Sequence, residues 1–497
     1  MIGSFAQRNK CVFAFRGSSG ISSRLLTVLV LLMISVAGMA QTVQSLKHQP
    51  PDGMQFSFQL TDGTVLAQGF NDSDWWKLTP DNTGSYVNGT WTQVASLPSG
   101  YVPDAFSSAV FADGRVVIVG GEYNNGNFTL TNLGAVYDPI ANTWTSLAPP
   151  KGWKYIGDSP SVILPTGSFV VGNKLTKQLR ELDPKTLTWK SLPAKGKSDF
   201  DAEEGWTLLS DGTFLTADVK NAPNSEIYST TAKKWTTAGS TIVDLHSPSP
   251  FGCIPYGPNG NLCYYPPGEI GPQILRPDGT VLVTGSYTNN GNGPGHTAVY
   301  DSLTGKWTVG PDFPNGDNAG DSFAVLLPNG DVLVEGDSGN SYVFDGTTLK
   351  PGPATPGGLM VLPTGQVLVG GGTTAVYNET GTYQTSWQPT ISSCPTSVTR
   401  GSTYTISGTQ FNGLSQAAAF GDELETATNY PLVRITNKST KHVFYARTHD
   451  HSTMGVATGS ATVSTNFDVP AAAETGASTL EVVANGIPSA GFSITVQ

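Results

Sequence analysis

One arrangement of apolar and polar positions recurs along the chain. An apolar stretch leads into a tight turn, then a Val- and Leu-rich stretch ending in glycine, then a stretch near Tyr-Asp, then Trp and often Leu-Pro. The cleanest copy runs from Ser107 to Pro149. Seven turns mark the copies: Asp62-Gly63, Asp113-Gly114, Thr166-Gly167, Asp211-Gly212, Asp278-Gly279, Asn329-Gly330 and Thr364-Gly365. Tyr137, Leu182, Tyr228, Tyr300, Phe344 and Tyr377 mark the third stretch. Trp91, Trp144, Trp189, Trp235, Trp307 and Trp387 close the copies, with Leu349 in the sixth. Short apolar runs bounded by Asp-Gly and Asn-Gly predict antiparallel strands joined by two-residue hairpins, with both turn residues at positive φ.

A four-stranded sheet of this kind has two apolar faces and cannot bury both alone. Stacking the sheets in a ring buries them, and Trp fills the wedges between neighbours. The expected fold is therefore all-β, a seven-bladed kelch-type β-propeller over residues 52–388. After Gln388-Pro389 the texture changes to alternating runs such as Leu432-Val433-Arg434-Ile435 and Leu480-Glu481-Val482-Val483. These predict an immunoglobulin-like β-sandwich over 389–497.

Composition supports β-structure with many turns: only 13% of residues are charged, with 58 Gly and 34 Pro. A net charge of −11 disfavours nucleic acid and anionic membranes as partners. Basic residues followed by the apolar run Leu25–Ala37 and the small residues around Met39 predict a signal peptide over 1–40. No other stretch is apolar enough to span a bilayer, so a secreted, periplasmic or surface-exposed monomer is expected. In an oxidising compartment Cys253 and Cys263 are expected to form a disulfide within a turn-rich loop, leaving Cys394 as a buried thiol.

Several residues could carry a site. Trp153, Tyr155, Trp206 and Tyr264 are aromatic candidates for stacking on sugar rings at the propeller mouth. Asp199, Asp201, Glu203 and Glu204 form an acidic run that could bind a cation, pair for glycoside cleavage, or simply be a solvated loop. Asp321 invites the same readings. His449 and His451 would share a face if their segment is extended, which is a metal-ligand spacing. Ordinary hydrogen-bonded histidines on a loop are the competing account.

An N-terminal signal, seven kelch-like copies and a C-terminal sandwich together resemble the galactose oxidase and glyoxal oxidase family. The resemblance implies a copper radical centre built from a Cys-linked Tyr, a Tyr-His pair and a sandwich-domain His. Cys263, ahead of RPDGTVLVTG, resembles the family Cys, and Thr448-His449 resembles the sandwich-domain motif. Counting back from the turns places Gly320-Asp321 where the linked Tyr belongs and Thr355-Pro356 where the Tyr-His pair belongs. The expectation is thus an oxidase-like scaffold with no copper or other cofactor. It would be a non-catalytic binding protein with a carbohydrate or protein ligand at the mouth. The alternatives are a divergent copper oxidase using Cys263, His449 and His451 as metal ligands, and a glycan-active hydrolase.

Overall fold

The computed structural model describes residues 42–249, 251–288, 293–421 and 423–497. The predicted signal peptide lies outside the described residues. All described residues belong to one compact unit. Among them no helix is long and apolar enough to cross a membrane.

The fold is all-β, as expected, and is built of many small antiparallel sheets. Among the described residues the seven copies form antiparallel sheets, six of them four-stranded and the sixth extended to six strands by a later hairpin. The second, for example, orders Ser107–Val110, Val116–Val119, Gly134–Asp138 and Thr143–Ser146 from first to last. The marker residues explain themselves in the register. Tyr137 faces Trp144, Leu182 faces Trp189, Tyr228 faces Trp235, Tyr300 faces Trp307 and Phe344 faces Leu349. Cross-strand aromatic pairs of this kind lock the register of each sheet.

The turns differ from expectation in one respect. Gly63 and its six equivalents have positive φ, but the preceding Asp, Thr or Asn does not. Instead the Asp62 carboxylate accepts hydrogen bonds from the backbone N–H (3.0 Å) and hydroxyl (2.6 Å) of Thr64. Asp211 with Thr213 and Asp278 with Thr280 repeat this contact. Aspartate thus works through its side chain rather than through a left-handed backbone.

The seventh sheet is completed from far away in sequence. Thr42–Ser45 pairs with Ala375–Asn378, so the N-terminal strand closes the sheet that Leu359–Val361 begins. The repeat region therefore starts before residue 52. Trp387 lies in a short 3₁₀ turn against Gly330 and not on a closing strand.

The C-terminal strands form a separate core around Ile406, Phe411, Val433, Phe467 and Val482. Cys394 is free and half-buried beside this core, and burial pushes its thiol up to about 11. Two excursions link these strands to the sheets. The first packs over the Asp-Gly turns. Thr448 N–H donates to Thr61 O (3.0 Å), Arg447 to Asp113 O (2.8 Å) and Met454 N–H to Pro165 O (3.0 Å). At Gly63 a β-carbon would lie 2.3 Å from the Tyr445 ring, so this turn needs glycine for space as well as for φ. The second excursion is the hairpin Ala418–Phe420 and Leu424–Glu425. It pairs with Phe323–Leu326, the first strand of the sixth sheet. It also touches the first strands of the second, third, fifth and seventh sheets. A hairpin that reaches so many first strands must run along the centre they share. Phe420 packs there on Phe56 and Phe323.

Candidate functional site

The Asp-Gly turns occupy one end of this centre, under the C-terminal strands. The opposite end carries the longer connections between sheets and the turns after each second strand. Ionisable groups gather at that end.

Five carboxylates come from one repeated position. Asp104, Asp158, Glu203, Glu269 and Asp321 each precede the turn of their copy by eight or nine residues. This puts each just ahead of its sheet's first strand. The same offset recurring in five copies was a signal available in the sequence, although only Glu203 and Asp321 stood out there. Asp104 accepts from Gln55 Nε2 (2.6 Å) and Ala105 N–H (2.9 Å), and burial pushes its carboxyl above the ordinary range. Asp321 is exposed and holds positive φ. A β-carbon on Gly421, at the tip of the central hairpin, would lie 3.0 Å from Asp321 Oδ1 and 3.2 Å from Glu423 Oε2. Carboxylates therefore flank the hairpin tip.

Two lysines are buried beside this mouth. Lys174 Nζ binds Asp158 and, at 2.7 Å, Glu203, whose Oε1 also accepts from Tyr264 Oη at 2.6 Å. Lys197 Nζ binds Glu204 (2.7 Å), Glu226 (2.9 Å) and Asp199 (3.0 Å), with Asp218 at 3.9 Å. Burial opposes both ammonium charges, but the surrounding carboxylates outweigh it and hold both lysines protonated. Asp201 is fully buried next to this group, and burial pushes its carboxyl up to about 8 against the pull of Lys197.

The aromatic candidates separate into two groups. Tyr264 and Tyr155 come together with Phe128 and Tyr256 under the loop that the Cys253–Cys263 disulfide ties down. Trp206 instead packs inside its sheet against Phe214 and Trp235 and is 2% exposed. Trp153 is buried as well, with its indole N–H on Gln178 and the Arg180 guanidinium over its ring. Neither indole is open to a sugar.

The metal candidates do not converge. The sulfur of Cys263 is bonded to Cys253, so it has no thiolate to offer. His449 lies at the other end, over the turns, with its ring on Asp450 (2.7 Å) and Asp468 (3.2 Å). Asp450 takes positive φ, which breaks the strand and the alternation on which a shared His449–His451 face depended. His451 is buried, with Nδ1 on Thr465 Oγ1 (2.8 Å), and burial lowers its imidazole to about 3.

A radical copper centre needs imidazole and phenolate donors converging on one ion. At the matching positions stand Asp321 and Pro356, while the buried Thr355 hydroxyl is engaged with Ser341 Oγ at 2.8 Å. The hairpin reaching the centre brings Phe420, Gly421 and Glu423 instead of a histidine. The described residues do not fit a copper ion.

A cleft of about 350 Å³ opens beside Asp321 in sequence. Tyr287, Asn315, Asp337, Asn340 and Tyr342 line it. Asp317 is its pillar, accepting from the Ser338 N–H (3.1 Å), the Ser338 hydroxyl (2.5 Å) and Tyr342 Oη (2.8 Å). Sequence reading missed the cleft because its two walls, 315–318 and 337–342, lie on different connections.

The described residues form an all-β protein, and one stretch of the chain is similar to galactose oxidase. Two curated galactose oxidases match, one from Gibberella zeae and one from a named strain of that species. Each is 38% identical over 85 residues, which is 17% of this chain and 11% of the relative. The chain thus matches about a tenth of the length of these relatives. No family model matches it. Among solved structures, a fungal alcohol oxidase in complex with copper aligns at 14% identity. That alignment covers 92% of this chain and 98% of the other, with a TM-score of 0.49. A Staphylococcus aureus virginiamycin B lyase aligns at 11% identity over 68% of this chain and 99% of the other, with a TM-score of 0.46.

Proposed function

We propose that the protein is an exported, non-catalytic carbohydrate-binding protein. In this reading the seven sheets are blades of one closed kelch-type propeller, and the C-terminal strands are an immunoglobulin-like sandwich that covers its far end. The ligand site is the carboxylate-flanked mouth with its adjoining cleft. The cleft carries the proposal. Its volume falls at the small end of the range for ligand sites, roughly 300–1,000 Å³. The partly exposed Tyr287 supplies an apolar ring face, and the exposed Asn315, Asp337 and Asn340 supply polar groups for sugar hydroxyls. The test is a glycan array probed with folded protein, followed by titration of any hit. Asn340→Ala and Asp321→Asn should each weaken binding at least about tenfold, the loss of one good polar contact to a ligand. Asparagine suits position 321 because it tolerates positive φ. An array without hits defeats the proposal.

The second reading, a divergent copper oxidase, is favoured by the 85-residue stretch that is 38% identical to galactose oxidase. Copper-loaded protein that releases peroxide from galactose or glyoxal would establish it in place of the first.

A further inference from the structure

We propose a hard divalent-cation site, of the calcium type, among Asp199, Glu204 and Asp218, beside Lys197. One ligand atom from each of these three residues lies within 4.8 Å of the other two, and all three residues are buried. The surrounding elements explain the convergence. Asp199 and Glu204 stand on the connection from Thr188–Leu192 to Thr207–Leu208. Asp218 stands on the turn after Phe214–Ala217 in the same sheet.

Charge counting then shows what the cluster lacks. Five buried carboxylates, Asp199, Asp201, Glu204, Asp218 and Glu226, surround one ammonium. Lys197 has three donors, and it uses them on one oxygen each of Asp199, Glu204 and Glu226. That leaves Asp199 Oδ2, Glu204 Oε1 and Asp218 Oδ1 buried with no hydrogen-bond partner. Unpaired buried carboxylate oxygens are costly, and the single Lys197 ammonium, its three donors already used, leaves these oxygens unmatched. An oxygen-only donor set that is carboxylate-rich and buried suits calcium, which takes six to eight oxygens in flexible geometry. It does not suit copper or zinc, which favour nitrogen and sulfur ligands. This site is separate from the carbohydrate cleft, and the failure of either proposal leaves the other standing.

Terbium luminescence on the full chain tests the proposal, because terbium replaces calcium and is sensitised by nearby indoles. The Trp235 ring centroid lies 5.3 Å from Lys197 Nζ, close enough to serve as antenna. Folded wild-type protein should give sensitised emission at about one ion per chain that calcium displaces. Calcium at saturating concentration should also raise the unfolding midpoint by about 5 °C. Glu204→Gln with Asp218→Asn should lose the emission. If that double variant does not fold, Asp218→Asn alone should weaken terbium binding at least about tenfold. No sensitised emission from folded wild-type protein, or emission unchanged in a folded variant, overturns the proposal.

Discussion

At the end of the centre that carries the tight turns, aspartates such as Asp62, Asp211 and Asp278 close their own turns, and the C-terminal strands lie over several of them with backbone hydrogen bonds such as Thr448 to Thr61. At the opposite end the connections are long, the backbone is irregular, and buried lysines are held by carboxylates from two or three connections. The first end is stable because short-range rules are obeyed. The second concentrates unbalanced charge and a polar cleft, which stability alone does not require. On the proposed function, one end of the sheets gives support and the other is free for recognition.

The largest effect that would break this contrast comes from Lys197. Lys197→Met leaves five buried carboxylates without their ammonium, and should cost about 3–5 kcal/mol in urea unfolding at pH 7. A loss under about 1 kcal/mol would mean that the cage is solvated and the two ends do not differ in this way. Next is Gly63→Ala at the covered end. It combines a strained φ with a clash on Tyr445 and should cost about 2–3 kcal/mol in the same assay. A neutral result would show that the C-terminal strands rest only loosely on the turns.

The smallest effect separates the ends by pH. Glu335, at the charged end, accepts the Gly357 N–H at 2.9 Å, and burial raises its carboxyl to about 7. The folded state then holds the proton more tightly than the unfolded state does. The resulting stability is complete below the ordinary carboxyl value and is lost as pH rises through about 7. His451, at the covered end, has the opposite sign. Its lowered imidazole gives stability that is present above its ordinary value and lost as pH falls toward about 3. Glu335→Gln should therefore gain about 1 kcal/mol on wild type between pH 5 and pH 6. Equal stabilities at both pH values would show that Glu335 is ionised in the folded state.

How much could be read from the sequence follows the same division. The seven turns, the Tyr–Trp pairs and the Cys253–Cys263 bond were legible because each is decided within a few dozen residues. The closing strand Thr42–Ser45 was not, since its partner Ala375–Asn378 lies at the other end of the repeat region. The central hairpin was hidden because Ala418–Phe420 reads like any other short strand of the C-terminal region. His449 and His451 misled because alternation assumes an unbroken strand, and Asp450 breaks it. Trp153 and Trp206 misled because a tryptophan near a connection can point inward as easily as outward. The lysine cages were out of reach, since the acidic run 199–204 shows no lysine partner until Lys197 and Glu226 fold against it.

Hydrogen exchange of the protein with and without a saturating glycan is the most direct test of the division between the two ends. The account predicts added protection in 103–106, 268–273 and 315–323 around the mouth and cleft, with 442–456 over the turns unchanged. Protection confined to 442–456, or spread evenly over both ends, would contradict it.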